Sequence, residues 1–499
     1  MQGIAVADED RPVSPVYLSD ILSTTSGKLH TTSRWLNQCV ILLEDSSKIA
    51  TLQGKAFVSD IDYLGYFATA LHQVKPGSSA SSATPAQTAM RGTGTAAYYG
   101  NTWTQTSMVN GDYLHDQGYT GQGQLIAVLD LGFNGANTHP GFDSLRSQGR
   151  LLDAWNFVNA STDIYTPIWD HGTSALSTMA GVVPGTFVGS APHAQYALYI
   201  TDDNSVTDAL YELDNFVAGL ERADSIGADI ITSSLGYFDF VHPAYSTYSH
   251  GDLDGHTTMV ARATNRAVAK GIFTVISAGN ENGSPWNFIL TPGDADSALT
   301  VGAVQANRVI AGFSGGGPNS SGRIKPDVVT LGSPAAVFSS TGMTSMNGTS
   351  FSTPQIAGWA ACVREYKPSI KPYQLRQAIN SSADRYSAPT PREGYGIPDF
   401  SKVLGTVGIG TLPVQKPQLV VSPNPFSGTV ALQLVVTKST TVQCVLMDAD
   451  GRIVAERALS ATTARTEYEI AFPATLPAGN YFLQTTIDGK TYINKLTRL

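Results

Sequence analysis

Four residues far apart in the chain have side chains suited to one chemistry: Asp130, His171, Asn280 and Ser350. A serine hydroxyl is a weak nucleophile until an imidazole takes its proton, and the imidazole works best when a carboxylate fixes its orientation. Ser350 lies in Asn347-Gly348-Thr349-Ser350-Phe351-Ser352-Thr353-Pro354, where Gly348 permits a tight turn. The apolar run Ile356 to Val363 that follows has the composition of a buried helix. A serine at that helix start sits among unpaired N–H groups at the positive end of the dipole, where an oxyanion is stabilised. The same position suits a plain helix cap, so the serine needs a base and an acid elsewhere in the chain.

Each partner alone has an ordinary explanation. Asp130 ends the apolar run Leu125 to Leu129, where aspartate commonly caps a turn. His171-Gly172-Thr173 opens the helix-like stretch Ala175 to Ala180. Ser277-Ala278-Gly279-Asn280-Glu281 follows the run Ile272 to Ile276, and an amide at a strand end can donate to a developing oxyanion or simply turn the chain. Together they occupy strand ends and helix starts of one domain in the order acid, base, nucleophile. Capping does not account for that coincidence.

The elements that must hold them follow from hydrophobic pattern. Leu125–Leu129, Tyr196–Ile200, Ile230–Thr232, Ile272–Ile276 and Leu299–Val304 are short, β-rich and nearly continuous in hydrophobicity, as buried parallel strands are. Ala209–Ile226, Thr257–Lys270 and Tyr373–Ser382, the last behind Pro372, have helical spacing. The expectation is an α/β domain built on a doubly wound parallel sheet over residues 105–405, with ligands at the carboxyl ends of the strands.

Residues 1–75 suggest a small α+β unit: a strand at Cys39–Leu43, a short helix at Asp45–Leu52 capped by Asp45 or Ser46, and a strand at Ala56–Val58. Residues 76–104 form an accessible linker, with little to pack in Pro76 to Pro85. A second linker covers 406–416. From 417 to 499 apolar segments alternate with turn signals such as Asp450-Gly451 and Asp488-Gly489, the pattern of a small all-β sandwich.

Composition narrows the function. A balance of 31 basic against 40 acidic residues, with no basic cluster, argues against a nucleic-acid partner. No apolar run reaches the ~20 residues needed to span a bilayer, so a membrane-spanning protein is not expected. Cys39, Cys362 and Cys444 lie too far apart for a Cys-pair metal site or a small disulfide framework. Met1 to Ala5 has no signal-peptide character, so an exported chain would carry its signal outside these 499 residues.

The chain resembles a subtilisin-like serine protease, a subtilase. The matching motifs are Val128-Leu129-Asp130-Leu131-Gly132, His171-Gly172-Thr173, Ser277-Ala278-Gly279-Asn280, Lys325-Pro326-Asp327-Val328-Val329 and Gly348 to Pro354. The resemblance implies peptide-bond hydrolysis through an acyl-enzyme, with Asp130 as orienting acid, His171 as base and Ser350 as nucleophile. Asn280 and the Ser350 N–H would form the oxyanion hole. Ser234-Leu235-Gly236 would pair with an extended substrate, and Ser277, Ala278 and Gly279 would form the other wall of the specificity pocket. No cofactor is implied; the structural calcium common in the family cannot be assigned, because Asp252, Asp254, Asp294 and Asp296 lack a recognisable ligand spacing. Two residues depart from the pattern: Leu131 stands where a small polar residue is usual, and Leu290 stands at the expected pocket floor, often glycine in relatives.

The first unit resembles a subtilase propeptide, so the chain would be a zymogen whose own propeptide is a partner. The last resembles the C-terminal sorting domain of type IX secretion, through Ser422-Pro423-Asn424-Pro425-Phe426 and Leu476 to Phe482. That implies a partner in the secretion machinery and a secreted or cell-surface location in a Gram-negative bacterium. The competing reading is a surface adhesin on an inactive subtilase scaffold, since fold alone does not give function. An α/β-hydrolase esterase fails on motif order, because there the serine comes first.

Overall fold

The computed structural model describes residues 10–64, 94–166, 169–203, 209–240, 247–407, 419–422, 426–434, 440–448, 452–462, 467–473, 475–487 and 490–498. Seven parallel strands form the central sheet, in the spatial order Val328–Ser333, Leu299–Gln305, Phe273–Ser277, Ile230–Ser233, Leu125–Asp130, Gln195–Ile200, Leu151–Asn156. Leu125–Asp130 is buried throughout and takes a neighbour on each side: Asp130 is in register with Ile200, and Leu129 with Ser233. The winding reverses beside this strand, which makes its carboxyl end the place for a ligand.

Helices cover both faces. Leu210–Ser225 and Met259–Ala269 share one apolar core with alternate residues of the sheet, Leu125, Ala127 and Leu129 among them. His171–Ala180 and Thr349–Tyr366 share the other with Ile126 and Val128. Thr349–Tyr366 is buried from Thr349 to Arg364, so its apolar residues run all round rather than along one stripe. Pro372–Ser382 begins with proline at its first position, where a missing N–H costs nothing.

The first unit differs from expectation. A helix at Pro15–Thr25 precedes two antiparallel strands, Lys28–Ser33 and Gln38–Leu42. Asp45 then caps a short helical segment by accepting the Ser47 N–H at 2.9 Å. Ala56–Val58 is a turn rather than a strand: Val58 N–H bonds to Lys55 carbonyl at 3.0 Å, and the Phe57 ring stacks on Tyr17 at 4.2 Å.

The linker Pro76–Pro85 lies outside the described residues, as does 408–418. By contacts the chain separates into Met1–Thr411 and Leu412–Leu499. The helix Gly94–Tyr99 lies ahead of residue 105, and its Tyr99 is buried and bonded to His115 Nδ1 at 2.6 Å, so it packs as part of the α/β body. In the second unit a three-stranded sheet (Leu419–Ser422, Thr429–Leu434, Glu467–Ala471) and a four-stranded sheet (Ile453–Ala461, Thr440–Met447, Gly479–Ile487, Lys490–Arg498) enclose one core, including Val430, Leu432, Cys444 and Leu483. The Asp450-Gly451 and Asp488-Gly489 turns and residues Pro423 to Pro425 fall outside the described residues.

Candidate active site

Asp130 is the last residue of its strand and is fully buried. His171 is the first residue of the helix Ser-rich on its buried side, His171–Ala180, and its Nδ1 lies 2.6 Å from Asp130 Oδ1. Gly172 makes this approach feasible: a Cβ there would come within 3.0 Å of Asp130 Cβ and 2.6 Å of the Gly132 carbonyl oxygen. The histidine-glycine pair therefore reflects the packing of a helix start directly against a strand end. Asp130 Oδ1 also accepts the Leu131 N–H at 2.8 Å, while Oδ2 is buried with no hydrogen-bond partner among the described residues.

Burial pulls the His171 imidazole down. The Asp130 carboxylate, through its charge and hydrogen bond, together with Asp170 and Asp202, more than offsets this and holds it above its ordinary value. Asp170 and Asp202 escaped the sequence reading. Asp170 Oδ2 accepts the Ser340 N–H and Oγ at 2.8 and 2.6 Å, tying the hairpin Ala335–Ser339/Gly342–Met346 to the residue before His171. Asp202 accepts from Tyr237 Oη at 2.7 Å at the carboxyl end of the neighbouring strand. The adjacency of Asp170 to His171 was the available signal; nothing in the sequence pointed to Asp202.

Ser350 is the second residue of the helix Thr349–Tyr366, and the cap position belongs to Gly348, with no side-chain cap bond. The capping explanation for the Ser350 hydroxyl thus falls away. Its N–H, at the start of the helix, lies outside the intrahelical ladder. Pro354 has no N–H to donate to the carbonyl four residues back, and that carbonyl, of Ser350, instead accepts Ser234 Oγ at 2.9 Å. The serine-to-proline spacing therefore docks Ser234, and the segment Ser234–Gly236 behind it, onto the backbone of Ser350.

Asn280 is exposed at the end of the Phe273–Ser277 strand region. Its Oδ1 accepts both the N–H and the Oγ1 of Thr349, at 3.0 and 3.1 Å, which orients the amide so that its NH₂ is the end left to donate. The Phe351 ring lies 5.6 Å from that of His171. Asp130, His171, Asn280 and Ser350 thus converge at the carboxyl end of the sheet, although no hydrogen bond joins Ser350 Oγ to His171. Serine-base bonds are commonly loose until substrate is bound.

Each of the four carboxylates considered for a cation accepts a hydrogen bond or an ion pair from a protein group. Asp252 accepts the Ser249 N–H at 2.7 Å, Asp254 those of His256 and Thr257, and Asp294 that of Gly255. Asp296 pairs with His256 and Arg323 at 2.8 and 2.7 Å. Among the described residues no group of three or more His, Cys, Asp and Glu is placed to hold a metal.

The Asp130–His171 pair and the helix start that carries Ser350 stand at the carboxyl end of a doubly wound sheet. Residues 121–397 match the subtilase family, more than half of the chain, and the chain belongs to that family. Residues 1–81 match the peptidase S8 propeptide domain of Bacteroidota, and 420–497 match a secretion system C-terminal sorting domain. Subtilisin DY of Bacillus licheniformis is 30% identical over 280 residues, covering 55% of this chain and 89% of that one. Subtilisin E of Bacillus subtilis is 30% identical over 280 residues, covering 56% and 65%, and serine protease AprX of Bacillus subtilis is 26% identical over 320 residues, covering 58% and 68%. Among solved structures, MycP1 from Mycobacterium smegmatis aligns with a TM-score of 0.48 at 20% identity, over 62% of this chain and 86% of that one. The protein is a serine endopeptidase of the subtilisin type, made with a propeptide and a sorting domain that marks it for secretion or the cell surface. No helix among the described residues is long and apolar enough to cross a membrane.

Proposed function

We propose that the protein hydrolyses peptide bonds outside the cell through an acyl-enzyme on Ser350, with His171 as general base and Asp130 as its orienting partner. The 2.6 Å contact of His171 Nδ1 with buried Asp130 carries the reading, because it sets the imidazole with its other nitrogen available to take a proton. Asn280 Nδ2 and the Ser350 N–H donate to the oxyanion, and Ser234–Gly236 pairs with the extended substrate. An inactive adhesin would have no use for this set, and no observation favours one. The C-terminal unit passes the chain to its secretion machinery.

Asn280→Ala tests the arrangement. The amide acts mainly on the charge that develops in the transition state, so kcat falls by roughly 10²–10³ with little change in KM. That range was measured on the corresponding type of donor in subtilisin, a relative. A loss confined to KM would move Asn280 from transition-state stabilisation to substrate binding.

The propeptide unit holds the enzyme as a zymogen until the chain is cut within Gly77–Thr95. Its attachment is specific: Glu221 in the helix Leu210–Ser225 accepts Ser33 Oγ at 2.5 Å and the Arg34 and Trp35 N–H groups, both at 3.1 Å. Trp35 is buried in the core formed by that helix, and Gln38 donates to Asp214 at 2.6 Å. Tethering raises the unit's effective concentration towards roughly millimolar, so modest affinity suffices for inhibition before the cut. The uncut chain is expected to be nearly inactive on peptides, and a chain beginning at Gly94 active until residues 1–75 are added back. Equal activity of all three would remove the inhibitory role.

A further inference from the structure

Leu290 closes the space into which the residue before the scissile bond must fit. Two segments flank that space: Ser234–Gly236, fixed to Ser350 through Ser234 Oγ, and Ala278–Asn280, fixed to Thr349 through the Asn280 amide. Each presents a glycine towards the other, and Leu290 lies against both. A Cβ on Gly236 would come 2.7 Å from Leu290 Cβ and 2.8 Å from its Cδ1; one on Gly279 would come 2.6 Å from Leu290 Cγ and 2.9 Å from its Cδ1. The leucine is held there by its own N–H, which donates to Ala278 carbonyl at 3.2 Å, and by the Tyr237–Thr291 backbone pair one residue on. With 8% of its surface exposed, it fills the gap between the two glycines. Its chain neighbour Ile289 and the wall residue Ala278 are both fully buried in one small apolar cluster.

We propose that Leu290 makes this a peptidase selective for small uncharged residues, glycine, alanine or serine, on the acyl side of the cleaved bond. The inference rests on the assignment of Ser350 as nucleophile and of the flanking segments as substrate-binding. A phenylalanine side chain buries upwards of ~150 Å² when fully seated, and a crevice already occupied by a leucine does not offer that area. Each methylene gained or lost in such a pocket changes discrimination by about 10–200-fold, so an occupied floor is decisive for the choice between alanine and an aromatic residue.

The test uses the processed full-length product and succinyl-Ala-Ala-Pro-Xaa nitroanilides with Xaa alanine, leucine or phenylalanine. Wild type is expected to show a kcat/KM for alanine at least ~10-fold above that for phenylalanine, and Leu290→Ala to shift that ratio at least ~10-fold towards phenylalanine. The wild-type ratio needs no variant, so it decides the matter even if Leu290→Ala folds poorly. Active enzyme that prefers phenylalanine, or a well-folded variant with an unchanged ratio, overturns the pocket assignment alone. A fluorophosphonate probe run in parallel separates this from the deeper failure: no labelling of Ser350 and no hydrolysis would overturn the nucleophile assignment and the pocket with it.

Discussion

Ser350→Ala is expected to reduce kcat by about 10⁶, the scale found for loss of the nucleophile in subtilisin, a relative of this chain, while leaving the fold intact. The structural side of this expectation comes from what the Ser350 side chain does not do. It does not cap its helix, and its link to Ser234 runs through the backbone carbonyl, which alanine retains. Alanine is also the better helix former. The loss in stability should therefore stay below the ~1 kcal/mol typical of point substitutions, although Ser350 is buried. Residual hydrolysis about 10³–10⁴ above the uncatalysed rate would persist from the oxyanion donors and binding. If the chain cuts its own linker, the variant accumulates uncut, which a gel shows without any substrate. A folded variant that keeps more than a few per cent of wild-type turnover, or still takes up a fluorophosphonate, would remove Ser350 from the mechanism.

The part of this site that was legible in the sequence is the part set by short-range rules. Apolar runs ending in Asp130 and before Asn280, and a glycine-serine pair before a wholly apolar helix, each give a local position, and their order fixes the rest. The interior strands of the sheet were readable for the same reason, being buried on both faces. Leu151–Asn156 was not, because it is an edge strand of mixed burial in which Leu152 is exposed and the inward position is the charged Asp153, paired with Arg222 at 2.7 Å. Val328–Ser333, at the other edge, breaks its apolar residues Val328, Val329 and Leu331 with Thr330 and ends in glycine and serine, which shortens the signal.

Contacts made across the fold were not legible. The missing N–H of Pro354 explains why Ser234 reaches the Ser350 carbonyl, but only once the two segments are seen side by side. Leu290 was conspicuous as a departure from the family pattern, yet its insertion between Gly236 and Gly279 is a property of packing. Ala56–Val58 shows the opposite failure: a β-rich triplet forms a turn, in which Phe57 stacks on Tyr17 across the unit.

Asp130→Asn is expected to cost about 10⁴ in kcat, the scale of this exchange in serine peptidases, and to move the acid limb of the pH profile. The environment of Asp130 dictates how the asparagine sits. Leu131 N–H requires an acceptor at the Oδ1 position, which places the new NH₂ where Oδ2 is now, buried and without a partner. An unsatisfied buried donor costs about 1–3 kcal/mol. Turning the amide over relieves it only by setting NH₂ against the Leu131 N–H, and it then presents a donor to His171 Nδ1, forcing the proton to the nitrogen that should face the serine, so each orientation carries a cost. Either orientation also removes the negative charge from beside His171. In the wild type that charge and its hydrogen bond, together with Asp170 and Asp202, outweigh burial, so activity should rise with pH through a midpoint above the ordinary ~6.5 of histidine, and not at it. Without it burial prevails, the imidazole is easier to deprotonate, and the midpoint of kcat/KM should fall to lower pH even as the plateau collapses. The measurement is kcat/KM from pH 5 to 9 for both proteins. A variant with reduced activity but the same midpoint would mean that the group titrating in catalysis is not His171 held by Asp130.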